Sequence, residues 1–99
     1  MAKYVNITSA TTTTLLQKSD TQHSGNITSI IISNNDNAAA TVSLFLDLVS
    51  GTGDFYFFKS VVIPIGVSLV FDDKPSFNID NYSLKLTNAG SDDLSIIIK

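Results

Sequence analysis

The 99-residue chain has no cysteine, no tryptophan, one histidine and two prolines. Without cysteine there is no disulfide framework, no thiolate metal site and no thiol nucleophile. Its charge is made from lysine and aspartate alone, since arginine and glutamate are absent, and the net charge is −3. Nucleic acid is a poor partner for such a chain, because phosphate contacts need a basic stripe. An anionic membrane surface is disfavoured for the same reason. No apolar run approaches the roughly 18–20 residues of a membrane span. Met1-Ala2-Lys3 leads into a polar stretch with no apolar leader, so synthesis is expected in the cytosol.

What the chain does have is β-branched residues and turn formers. Ser, Thr, Ile and Val stand where glutamate and arginine would favour helix, and the branched ones suit a pleated surface. The hydrophobic fraction, 43%, is enough to bury a core. The pattern has a period of two, and turn residues recur every eight to twelve positions. Strands are expected in "KYVNIT", with Tyr4 on the opposite face from Val5 and Ile7, and in "TTTTLL" as a polar edge strand. "NITSIIISN" follows, then "AATVSLFLDLV", which places Val42, Leu44, Leu46 and Leu48 on one face and Thr41, Ser43, Phe45 and Asp47 on the other. "FYFFKSVVI" runs into the break Pro64-Ile65-Gly66, since proline donates no ladder hydrogen bond. "VSLVF" groups Val67, Leu69 and Phe71. "YSLKLTN" turns Tyr82, Leu84 and Leu86 inward and Ser83, Lys85 and Thr87 outward; "LSIIIK" turns Leu94, Ile96 and Ile98 inward. Seven or eight short strands in one domain over residues 1–99 predict an antiparallel β-sandwich, immunoglobulin-like or a small jelly roll.

The candidates for chemistry are few. Asp72-Asp73 and Asp92-Asp93 are paired carboxylates, but adjacent residues of an extended chain point to opposite faces and cannot easily share one ion. They read as turn residues. His23 has Asp20 and Ser24 beside it, yet triads are assembled in space rather than from one loop. Gly51 and Gly53 lack the lysine and following helix of a phosphate loop. No catalytic, cofactor or metal residue is assigned, and no small-molecule substrate is expected; calcium at a subunit interface stays open.

Stickiness is the remaining signal. "IIIS", "SIIIK" and "FYFF" place apolar groups on both faces of their strands. One reading makes these strands central or loop-covered. The other turns Tyr56, Phe58 and Ile31 or Ile97 toward a partner protein, since three or four such side chains left wet make a large apolar patch.

The order of the segments resembles that of short virion structural proteins of tailed bacteriophages, particularly those of marine bacteria. The matching stretches are the threonine run with "LL", "ITSIIISNNDNAAATVSLFLD", "FYFFKSVVIPIGVSLVFDD" and the closing "YSLKLTNAGSDDLSIIIK". The resemblance implies a non-enzymatic β-sandwich present in many copies. It would be a head decoration (cement) protein on the major capsid protein, often a trimer, on the capsid exterior, or else a small neck, tail or baseplate component. It implies contact regions in the aromatic strand and at the termini, adding Tyr4 and Phe55 to the candidate interface. Residues 1–18 are an expected arm or strand engaging a neighbouring subunit. A carbohydrate-binding module on the virion surface is the alternative of a different class.

Overall fold

A computed structural model of the chain describes residues 3–18, 27–48, 54–72, 74 and 77–99. His23 with Asp20 and Ser24, Asp73, Gly51, Gly53 and the side chain of Leu48 lie outside the described residues. Eight strands follow in order: β1 Lys3–Ile7, β2 Thr12–Leu16, β3 Ile30–Asn34, β4 Ala40–Leu48, β5 Asp54–Ile63, β6 Ser68–Phe71, β7 Tyr82–Asn88 and β8 Leu94–Ile98. They form two four-stranded antiparallel sheets, sheet A in the order β1-β8-β3-β6 and sheet B in the order β2-β7-β4-β5. Only β4 and β5 follow one another within a sheet; every other connection passes between sheets. That is the strand order of a jelly roll. An immunoglobulin-like domain would pair its first two strands in one sheet, and here they lie in different ones.

The core is the space between the sheets. Ile30, Ile32, Ile96 and Ile98 of sheet A share one buried cluster with Leu44, Leu84 and Leu86 of sheet B. Replacing any of these leucines by alanine costs about 2–5 kcal/mol through lost transfer energy and the cavity left behind. The two open sides are closed differently. On one, Lys3 at the start of β1 reaches across and its ammonium donates to the Leu15 carbonyl of β2. On the other, Phe71 of β6 packs against Phe57 and Phe58 of β5, with centroids 5.6 and 5.9 Å apart. The expected arm is therefore built into the chain's own sandwich, β1 beside β8 and β2 beside β7.

Two kinds of irregularity move side chains away from simple alternation. β5 spends ten residues on eight of β4: Val42 pairs Val61, Leu44 pairs Phe58 and Phe45 pairs Tyr56. One extra residue falls at Lys59-Ser60, where Ser60 takes φ 56°, and its N–H donates to Ser43 Oγ at 2.9 Å. The other is Phe57. A bulge reverses the facing of whatever follows it. Tyr56 thus points outward while both Phe57 and Phe58 turn toward the core. On β2 a shift between Thr14 and Leu16 likewise lets Leu15 and Leu16, consecutive residues, both bury fully.

Exposure at three positions departs from simple alternation. Ser83 lies on the outer face but is 1% exposed, because the chain after β2 covers it and the Lys18 N–H donates to its Oγ at 2.9 Å. Phe45, also outer, is 7% exposed and lies apart from the core cluster, under Tyr56. Val67 precedes β6 in a turn, its N–H donating to the Pro64 carbonyl at 3.2 Å, and stays exposed. Gly66 has φ +70° there, the positive φ that the third residue of such a turn requires.

Two asparagines hold the places where the chain changes sheets. Asn34, the last residue of β3, is 2% exposed. Its Nδ2 donates to the carbonyls of Ala38 at 2.8 Å and Ile63 at 3.0 Å, and its Oδ1 accepts from the Asp36 N–H at 3.0 Å. Asn88, the last residue of β7, donates from Nδ2 to the Asp92 carbonyl at 3.0 Å and the Ser9 carbonyl at 3.3 Å. Each thus ties two crossings together. Asn34→Ala is expected to cost about 2–4 kcal/mol by orphaning buried carbonyls, whereas Asn6→Ala on the exposed outer face of β1 stays within about 0.5 kcal/mol. Urea unfolding of the two variants, compared at unchanged m-value, checks the difference.

Candidate functional site: the outer face of sheet A

Among the described residues no three or more His, Cys, Asp or Glu side chains are placed to hold a metal ion. Asp72 is exposed at the end of β6. The Asp93 N–H donates to Asp36 Oδ2 at 3.0 Å, which serves the turn before β8. Asp47 is engaged by Lys85 at 2.7 Å on the outer face of sheet B, with both side chains 27% exposed, and such a pair contributes about 0–1 kcal/mol.

The outer face of sheet A is different in kind. Inward residues of its strands fill the core, so the alternate residues face out, and the register aligns them across all four strands. Tyr4 of β1 pairs Ile97 of β8, Ile97 pairs Ile31 of β3, and Ile31 pairs Val70 of β6. The result is an apolar row from one edge of the sheet to the other. Its two ends are wet, Tyr4 at 74% and Val70 at 54% exposure, and its centre is half-buried. The next outward row is Asn6, Ser95, Ser33 and Ser68, with Ser33 Oγ and Ser68 Oγ 2.7 Å apart. None of these eight side chains is charged. A shallow open depression of 370 Å³ lies between the first two strands, lined by Tyr4, Asn6, Ser95 and Ile97 among others.

Three of the six residues expected at an interface, Tyr4, Ile31 and Ile97, are thus brought together. The others are dispersed by the β5 bulges. Phe58 packs on the core and on Phe71. Tyr56, on the outer face of sheet B, packs on Phe45 at 5.1 Å with the Lys59 ammonium 5.2 Å from its ring centre. Phe55 is 59% exposed beside Tyr82, centroids 5.8 Å apart. Val70 was the member that sequence reasoning missed. Its signal was present in "VSLVF", where it alternates against Leu69 and Phe71.

No protein-family model matches the chain, and no curated protein matches it. Among solved structures it is similar to the crystal structure of PirA, at 15% identity and TM-score 0.56, over 98% of this chain and 90% of that one. It is also similar to the Yersinia pseudotuberculosis-derived mitogen, at 14% identity and TM-score 0.47, over 100% of this chain and 83% of that one. The Drosophila melanogaster CENP-C cupin domain is similar at 9% identity and TM-score 0.40, over 99% of this chain and 58% of that one. The likeness to PirA concerns the fold alone. Fold and function separate readily in jelly rolls.

If Tyr56 serves to cover Phe45, its loss should be felt as instability. Tyr56→Ala is expected to cost about 1–2 kcal/mol, from the stacked pair and the uncovered ring, and Tyr4→Ala no more than about 0.5 kcal/mol. Urea midpoints of the two variants measured side by side check this ordering.

Proposed function

We propose that this chain is a non-enzymatic structural protein of a tailed-bacteriophage virion, a capsid decoration protein that binds the major capsid lattice. The observation that carries the reading is exposed apolar surface on both sides of a small sandwich: the row Tyr4–Ile97–Ile31–Val70 on sheet A, and Phe55, Tyr56 and Val62 of β5 in sheet B. Fully burying an exposed side chain of this kind in an assembly contributes roughly 1.5–3 kcal/mol, and less for the half-buried Ile31 and Ile97. The phrase-by-phrase resemblance to phage virion proteins supports it, as does a jelly roll, an architecture that viral capsid domains use. A cement protein adds stability by mass action, since the lattice offers its site only when assembled. The carbohydrate-binding alternative has less support, because the chain has no tryptophan and its exposed tyrosines, Tyr4 and Tyr56, lie on different sheets.

The test is cosedimentation of the purified chain with expanded capsids assembled from the major capsid protein of the same genome. The expected result is saturable binding in fixed proportion to capsid subunits, and a rise in the capsid melting temperature. Antibody labelling confined to the neck or tail of intact virions would transfer the chain to those parts. No binding to any virion component would overturn the proposal.

A further inference from the structure

We infer that the outer face of sheet A is the contact between two copies of this chain, related by a two-fold axis lying in the face and running parallel to the strands. The inference rests on the reading of the chain as an assembly component and names what covers the row. Rotation about such an axis reverses the order of strands and keeps each row in its place. The apolar row then meets the apolar row, with Ile97 opposite Ile31 and the large Tyr4 opposite the small Val70. This is the self-complementarity that an isologous interface needs.

Charge points the same way. One outward step beyond the row the register reaches Lys99, whose N–H donates to the Ser29 carbonyl at 2.9 Å, then Ser29, then Asp72 at the end of β6. Reversing the strand order offsets Lys99 of one copy from Asp72 of the other by one strand spacing, roughly 5 Å, across sheets roughly 10 Å apart, a gap their side chains can bridge. Opposite charges therefore face one another on both sides of the axis at one end of the face, and the eight outward residues of the two rows add no charge. An axis along the row instead would stack Tyr4 on Tyr4 and oppose the serine row to the charged one.

Two sheets meeting face to face pack with strands aligned within about 30°, as the axis requires.

Light scattering behind a sizing column, across a wide concentration range, should give twice the 10.6 kDa of one chain. Ile31→Asp, at a half-buried outward position, should weaken association at least about 100-fold by placing an unpaired charge in each half of the contact. Val62→Asp, on the outer face of sheet B, should leave the mass unchanged. Circular dichroism confirms that both variants are folded. The cysteine-free background permits a test of geometry: Tyr4→Cys with Val70→Cys should oxidise to a covalent dimer, and Tyr4→Cys alone should not. A monomer or trimer at all concentrations, an Ile31→Asp variant of unchanged mass, or cross-linking by Tyr4→Cys alone would each overturn the inference. A dimer that fails to cosediment with any virion component removes the decoration reading but not the dimer. A monomer that does cosediment removes the dimer alone.

Discussion

The structure depends on solving one problem: a chain that changes sheets after almost every strand leaves backbone groups stranded at each crossing. Buried carbonyls and amides must be bonded, and a crossing cannot use the ladder it has just left. Here two asparagine side chains supply the missing partners. Asn34 joins the β3–β4 crossing to the β5–β6 crossing through the Ala38 and Ile63 carbonyls. Asn88 joins the β1–β2 crossing to the β7–β8 crossing through Ser9 and Asp92. The two clips are linked to one another, since the Asn35 N–H donates to the Asp93 carbonyl at 2.9 Å. In a protein with no disulfide these side chains do what covalent staples do elsewhere. They fix the ends of strands whose middles are fixed by apolar burial.

With the ends held, the core sets the facing of every strand, and the outer surfaces follow from it. Sheet A is regular: the pairings β1–β8, β8–β3 and β3–β6 run without a shift. Its outward residues are therefore in line. Sheet B is irregular in β2 and β5. Its outer face is broken up, with Phe45 sealed beneath Tyr56 and Asp47 neutralised by Lys85. The same sandwich thus carries one face in unbroken register and one whose register is broken, with Tyr56 and Val62 still exposed on it.

Much of this was legible in the sequence, and the reasons for the rest are local. Period two picked out the strands, counted as seven or eight, and it faced Leu84, Leu86, Leu94, Ile96 and Ile98 correctly, because β7 and β8 carry no extra residue of their own. "FYFF" was misread because alternation groups Tyr56 with Phe58, and nothing in four aromatics announces an extra residue at Phe57. Ser83 and Phe45 were placed on the right face, and alternation does not tell that they are buried there. Their burial comes from Lys18 and Tyr56, partners 65 and 11 positions away. Asn34 closes the strand "NITSIIISN" and opens the turn-forming run Asn34-Asn35-Asp36-Asn37. That it is also a buried strut follows from the sheet order, which periodicity does not encode. The candidate surface was half visible: "IIIS" and "SIIIK" flagged Ile31 and Ile97, but only the register joins them to Tyr4 and Val70.

The strand edges explain why association should be sought on a face. An edge strand offers unpaired backbone groups and invites pairing with another chain unless it is blunted. Of the four edges here, β5 carries two bulges and a serine at φ 56°, β2 carries one, and β6 is four residues long. β1 is regular but only five residues long and begins at Lys3, whose side chain is drawn inward to Leu15. Three edges are thus poor templates for strand addition, and the fourth offers little length. An apolar row left on the one regular face is then not an oversight of a sequence careless about stickiness. Where backbone pairing is discouraged and side-chain burial is left available, contact with another protein is directed to rigid side chains in a fixed register. That favours a defined, finite assembly over open-ended sheet growth.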